Sequence, residues 1–219
     1  TPASQPLADG STFVVPKAVS VMIDAGTVFK LRSAIIDVGS SQSLSSTSRA
    51  QAAIQVLGVP GTPVTFTSYH DDSIGGNSDG VGPTAAGGQW GGIVLRTDSD
   101  LASKRAFVNT IQQAEFRYGG GQARVDSQLQ SFAPIQIEST RPTIAFNTIS
   151  SSVGAAIAAT PNSFEESNGR AGPDIHHNRL VNNTTNGLFV KIFTRFGSPL
   201  EQLDVSARFA STDIVYVFQ

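Results

Sequence analysis

The chain has no cysteine, one tryptophan, one methionine and only 15% charged residues over 219 positions. Without thiols there are no disulfides and no thiolate metal sites, so packing and hydrogen bonding must hold the fold. The charge content is well below the roughly 25% of an ordinary soluble domain, which argues against exposed helices laced with ion pairs. Formal net charge is −2 and the sequence pI about 5.9, so no basic field is present to attract nucleic acid or an anionic bilayer. No apolar run approaches the about 18 residues of a membrane-spanning helix. The opening Thr1-Pro-Ala-Ser-Gln-Pro6 lacks the apolar stretch of a secretory leader.

Turn formers are plentiful: 21 Gly, 11 Pro and abundant Ser, Thr and Asn. They separate short apolar runs such as Thr12–Val15, Val19–Ile23, Thr27–Leu31, Ala34–Val38, Ala53–Leu57, Val64–Thr67, Gly92–Leu95, Ile111–Tyr118, Ile135–Ile137 and Ile144–Ile149. Similar runs follow at Ala155–Ala158, Ile175–Leu180, Leu188–Phe193 and Ile214–Phe218. Runs of this length, bounded by turn residues, predict strands. Ser99–Glu115 is the one stretch with helix-like spacing, through Leu101, Phe107, Val108 and Ile111, but Val108 and Ile111 also fit a strand and the strand reading is preferred.

A segment occurs twice. Pro142-Thr-Ile-Ala-Phe-Asn147-Thr-Ile149, followed by Gly154-Ala-Ala-Ile157, returns as Pro173-Asp-Ile-His-His-Asn178-Arg-Leu180, followed by Gly187-Leu-Phe-Val190. Asn147 and Asn178 hold the same place in the two copies. Short β-runs repeated at such a spacing bury their apolar side chains only by stacking on the next copy, which predicts one all-β domain over 1–219: a right-handed parallel β-helix with projecting loops at about 68–92 and 163–172. In such a stack, Asn147 and Asn178 are expected to face inward and bond to one another as a structural ladder, since a buried amide needs partners.

These residues carry a resemblance. Gly87-Gly-Gln-Trp-Gly-Gly-Ile-Val94, Ala114-Glu-Phe-Arg-Tyr-Gly-Gly-Gly121, Ile135–Ser139, Arg141–Ile149 and Gly154–Ile157, taken in order, resemble parallel β-helix segments of very large bacterial exoproteins. Those segments are similar to ones in cyanobacterial and planctomycete surface and matrix proteins, within the pectate-lyase-like fold. Val19–Leu31 and Pro63–Ser68 are similar to the opening coils of that group. The resemblance implies a secreted, non-enzymatic, repetitive protein of the bacterial cell surface or extracellular matrix.

Candidate chemistry is sparse. Asp71, Asp72, Asn77 and Asp79 place hard oxygen donors on a Gly-rich stretch, as Ca²⁺ prefers, although the spacing departs from the EF-hand and a solvated turn explains the same residues. His176 and His177 are adjacent, so on a strand they face opposite sides and are not expected to clasp a metal jointly, and His70 is distant. An enzymatic reading would assemble Asp126, Glu138, Arg141 and Asp174 into the paired carboxylates of a hydrolase or into the Ca²⁺ site and arginine base of a lyase. No such pair recurs at matching places of the repeat, and Glu165 and Glu166 read as solvated loop charge. Trp90 suits an aromatic cover over a corner of the core better than a sugar platform. Asn182 and Asn183 each open an Asn-x-Thr sequon. Asp213–Gln219 reads as a strand that stops without a turn, so the chain is expected to be part of a longer one. The function expected is a structural or adhesive segment of a secreted fibre protein, its partners further copies or neighbouring modules and surface polysaccharide; a carbohydrate-binding adhesin or a polysaccharide lyase or glycoside hydrolase is the alternative.

Overall fold

A computed structural model describes residues 12–40, 48–80, 82–100, 106–125, 128–167, 169–191 and 203–218. The chain is all-β, with strands passing repeatedly through three parallel sheets, an arrangement compatible with a β-helix-like solenoid. The first pass runs β2 (Ser20–Asp24), β3 (Val28–Leu31) and β4 (Ile35–Val38), and the second β5 (Ala53–Leu57), β6 (Val64–Ser68) and β7 (Ile93–Leu95). Then come β8 (Thr110–Gln112), β9 (Ala114–Arg117) and β12 (Ile135–Ile137); next β13 (Thr143–Ala145), β14 (Thr148–Ser150) and β15 (Ala155–Ala159); and last β18 (Asp174–His176), β19 (Arg179–Val181) and β20 (Thr185–Val190). β1 (Thr12–Val15) and β21 (Tyr216–Phe218) flank the stack in the seven-stranded sheet, β1-β4-β7-β12-β15-β20-β21.

The register explains why short apolar runs suffice. In one five-stranded sheet Ile23, Val56, Ile111, Ile144 and Ile175 pair in succession, so each isoleucine or valine covers the one before. We call this the isoleucine sheet. In the other, the phenylalanine sheet, the column is Phe29, Phe66, Phe116, Ile149 and Leu180. Its rings stack at 5.2 Å and 4.9 Å between centroids. The seven-stranded sheet adds Ile36, Ile93, Ile135, Ile157, Leu188 and Tyr216. Fully burying such a side chain is worth roughly 1.5–3 kcal/mol, and the neighbouring passes supply much of the cover.

Corners are made by single residues in the left-handed region. Between the isoleucine and phenylalanine sheets these are Gly26 in the first pass and Gln113, Phe146 and His177 in the last three, with φ of 81°, 50°, 58° and 54°; at the next corner they include Ser33, Tyr118, Ser151 and Asn182. The apolar runs at 111–118, 144–149 and 175–180 are therefore not single strands: each is two strands broken at such a corner. Ser99–Glu115 forms no described helix beyond a short 3-10 turn at Thr97–Ser99, and residues 101–105 lie outside the described part. The Gly-led halves of the duplication pair out of step: Ile157 stands beside Leu188, not Val190, with a bulge between Ala155 and Ile157.

Two additions cover the outside. A hairpin, β10 (Gln122–Val125) and β11 (Gln128–Ser131), lies over the seven-stranded sheet, and Ala123, Val125 and Phe132 form a second apolar cluster with Ile35 and Val94. A shorter one, β16 (Glu166–Ser167) with β17 (Arg170–Ala171), falls within 163–172. The two Gly-rich motifs meet between passes two and three: Gly120 N–H donates to Gly91 O at 2.9 Å and Gly121 N–H to Trp90 O at 2.8 Å. A Cβ on Gly121 would stand 1.9 Å from Gly88 O, so this approach requires glycine.

Candidate functional site

The residue after a left-handed corner points inward, and asparagine there satisfies the backbone that the corner leaves unpaired. Asn147, only 1% exposed, accepts from Ala114 N–H at 2.9 Å and donates to Ile111 O at 2.9 Å. One pass later Asn178 accepts from Asn147 N–H at 3.1 Å and from Asn147 Nδ2 at 2.9 Å, and donates to Ile144 O at 2.8 Å. The structure thus brings the two repeat asparagines together. Asn183 makes the same pair of bonds at the next corner, to Ser152 N–H at 3.0 Å and Ile149 O at 2.8 Å. Its sequon nitrogen is buried and committed, whereas Asn182 is exposed.

The acidic residues are spread along a loop that folds back over the phenylalanine sheet. Asp71, 2% exposed, accepts from Thr67 Oγ1 at 2.5 Å and from Ser73 N–H and Oγ at 3.1 Å and 2.5 Å, with Arg117 Nη1 at 3.8 Å. Burial alone would push its carboxyl up, but the Ser73 and Thr67 hydroxyls, Ser73 N–H and Arg117 hold it below the usual carboxylate range. Asp79 pairs with His70, and Asn77 Oδ1 accepts from Asp79 N–H at 3.0 Å and Gly80 N–H at 2.7 Å in a local turn. Asp72 is exposed. Among the described residues, no group of three or more His, Asp or Glu side chains is placed to hold one metal ion.

A charge network on the outside of the seven-stranded sheet has no counterpart in the sequence reading. Arg96, 5% exposed, binds Asp37 through Nε at 2.6 Å and Glu138 through Nη1 at 2.8 Å. Gln136 Nε2 also donates to Glu138, at 2.7 Å, and Arg49 Nη1 reaches Asp37 at 3.2 Å. Burial opposes the Arg96 charge, but Glu138 and Asp37 outweigh it and raise its pKa. Of the residues considered for an enzymatic reading, Glu138 is thus committed to Arg96. Arg141 Nε donates to Glu165 O at 2.9 Å. Asp174 is exposed on the isoleucine sheet, and Asp126 lies outside the described residues. Asp100, whose Oδ2 accepts from Arg141 N–H at 2.7 Å, has its carboxyl pushed up by burial.

Trp90 is fully buried, its Nε1 donating to Arg117 O at 2.8 Å and its ring 6.4 Å from Phe66 and 6.3 Å from Phe116. It belongs to the core and presents no face to a sugar. The histidines require a correction. β18 ends at His176 and His177 is left-handed, so strand alternation fails and the two Nδ1 atoms stand 2.9 Å apart. The His177 ring stacks on exposed Phe146 at 4.9 Å, and its N–H donates to Asp213. Arg170, Asp174, Ser211 and Asp213 line the same groove, of about 560 Å³. No family model, curated protein or solved structure matches this chain.

Proposed function

We propose that the three sheets close into a right-handed parallel β-helix of the pectate-lyase-like kind, and that this is a non-enzymatic structural or adhesive segment of a secreted bacterial surface or matrix fibre protein. The observation that carries this reading is the continuity of the stack. Inward columns run in register through five passes, the corner asparagines tie each of the last two passes to the one before, and the charged groups that meet on neighbouring passes, Asp37, Arg96 and Glu138, bind each other. Such an element is built to be extended along its axis, with neighbouring modules or further copies as partners. β18, β19 and β21 each have a sheet neighbour on one side only among the described strands, and unpaired N–H and C=O groups invite further strands.

The test combines two measurements. Sedimentation and electron microscopy at rising concentration are expected to show end-to-end association, and incubation with pectin, alginate and other acidic glycans is expected to leave the polymers intact. Glycan cleavage would replace this reading with the lyase or hydrolase alternative. Glycan binding without cleavage would favour the adhesin.

A further inference from the structure

We propose that His176 and His177 form a two-nitrogen site for a divalent transition metal of the tetragonal class, copper(II) foremost, with water completing the coordination. Adjacent histidines on an extended strand cannot chelate, since their side chains alternate. The left-handed φ of 54° at His177 removes that obstacle and brings the two Nδ1 atoms into a 2.9 Å hydrogen bond, whose proton a metal ion binding both nitrogens would displace to solvent. With metal–nitrogen bonds of about 2.0–2.1 Å, this separation subtends an angle of about 90° at the metal. That is the angle between neighbouring ligands of a square-planar or tetragonal ion, whereas tetrahedral zinc would want the nitrogens about 3.3 Å apart.

The surroundings suit a cation. Asp174 Oδ1 lies 3.7 Å from His176 Nε2, the ring nitrogen that Nδ1 ligation leaves protonated, and carboxylates in that place orient metal-bound imidazoles. Asp213 adds a second carboxylate, held by His177 N–H, and the His177 ring is supported by stacking on Phe146. Arg170 lines the groove, but its Nη2 donates to Pro142 O and Thr143 Oγ1, both at 3.1 Å, and its guanidinium lies 5.2 Å from the Phe107 ring centroid. Its charge is therefore held against the isoleucine sheet. His176 is half-buried and His177 exposed, so an ion reaches both from solvent.

The experiment is titration of the whole chain with Cu²⁺ by calorimetry, with electron paramagnetic resonance of the one-equivalent complex. One Cu²⁺ per chain is expected, with hyperfine structure from two nitrogens and weaker binding of Zn²⁺. His176→Ala and His177→Asn should each weaken binding at least about tenfold, as loss of an outer-shell partner alone already can. Asparagine tolerates the left-handed corner and so spares the turn. His70→Ala should bind as wild type does. A spectrum with fewer than two nitrogens, or stoichiometric binding that survives the double replacement, would overturn the assignment. The wild-type spectrum decides it even if a variant misfolds.

Discussion

Asn147 and Asn178 sit one pass apart with the side-chain nitrogen of the first 2.9 Å from the side-chain oxygen of the second, and that oxygen also receives the Asn147 backbone N–H. One amide, partly buried, therefore serves two donors.

Replacing Asn178 by leucine leaves both donors without that acceptor, and is expected to cost about 1–3 kcal/mol. Asn147→Leu should cost at least as much, because it also strips Ala114 N–H and Ile111 O of partners at a more buried position. Urea unfolding of the two variants checks this; wild-type midpoints would show that the ladder carries no stability.

Arg96→Met leaves two buried carboxylates, Asp37 and Glu138, short of their main cation. A loss of about 3–5 kcal/mol is expected, the cost of breaking a buried ion pair from one side. Replacing Arg96, Asp37 and Glu138 together by apolar residues should recover most of it. If the single and triple variants unfold alike, the network is not what the loss measures.

The two perturbed aspartates act oppositely with pH. Asp71 is depressed when folded, so its contribution is fully present above the ordinary carboxylate value of about 3.9 and is lost as pH falls through its lower folded value. Asp100 is raised, so its ionisation disfavours the fold at neutral pH, and that penalty is relieved as pH falls through its folded value towards about 3.9. Asp71→Asn should flatten acid unfolding, while Asp100→Asn should raise the melting temperature at neutral pH. Melting curves across the acid range distinguish the two.

Calcium at the loop would have to draw Asp71 away from Thr67 and Ser73, and Asp79 away from His70. Added Ca²⁺ is therefore expected to leave the melting temperature unchanged, whereas a ligand specific to the folded state would raise it by mass action. A rise that disappears in Asp72→Ala with Asp79→Ala would assign the ion to this loop.

For association, Val215 is the position to alter: it is 66% exposed, and its backbone carbonyl accepts from Leu188 N–H at 2.8 Å. Val215→Lys should lower end-to-end association in sedimentation velocity with little effect on unfolding. Val217→Pro is less clean, because in a parallel ladder the N–H two residues beyond that carbonyl also faces β20.

The sequence made the repeating strands legible through Ile, Val and Phe alternation, and the duplicated Pro142 and Pro173 segments pointed to Asn147 and Asn178. The corners were harder to see. A left-handed turn usually announces itself by glycine, as Gly26 does between β2 and β3, but in the last three passes the turning residues are Gln113, Phe146 and His177, so those corners vanished inside apolar runs. His176 and His177 were misread for the same reason. The Asp37–Arg96–Glu138 network was hidden because Arg96 lies 59 residues from Asp37 and 42 from Glu138, and no local pattern links them. The hairpin at 122–131 was missed because the Gln and Arg residues of Gln122–Val125 and Gln128–Ser131 dilute the strand signal.

The asparagine bonds also bear on how the molecule grows. Asn178 reaches back 31 residues to the Asn147 N–H and 34 to Ile144 O, and Asn183 spans the same two intervals to Ser152 and Ile149. A further copy of that 31-residue unit, inserted between them, would meet at its lower surface what Asn178 meets now and offer above what Asn147 offers. Gene duplication can therefore add strands to these parallel sheets in increments of about 4.8 Å while repeating the asparagine contacts already present.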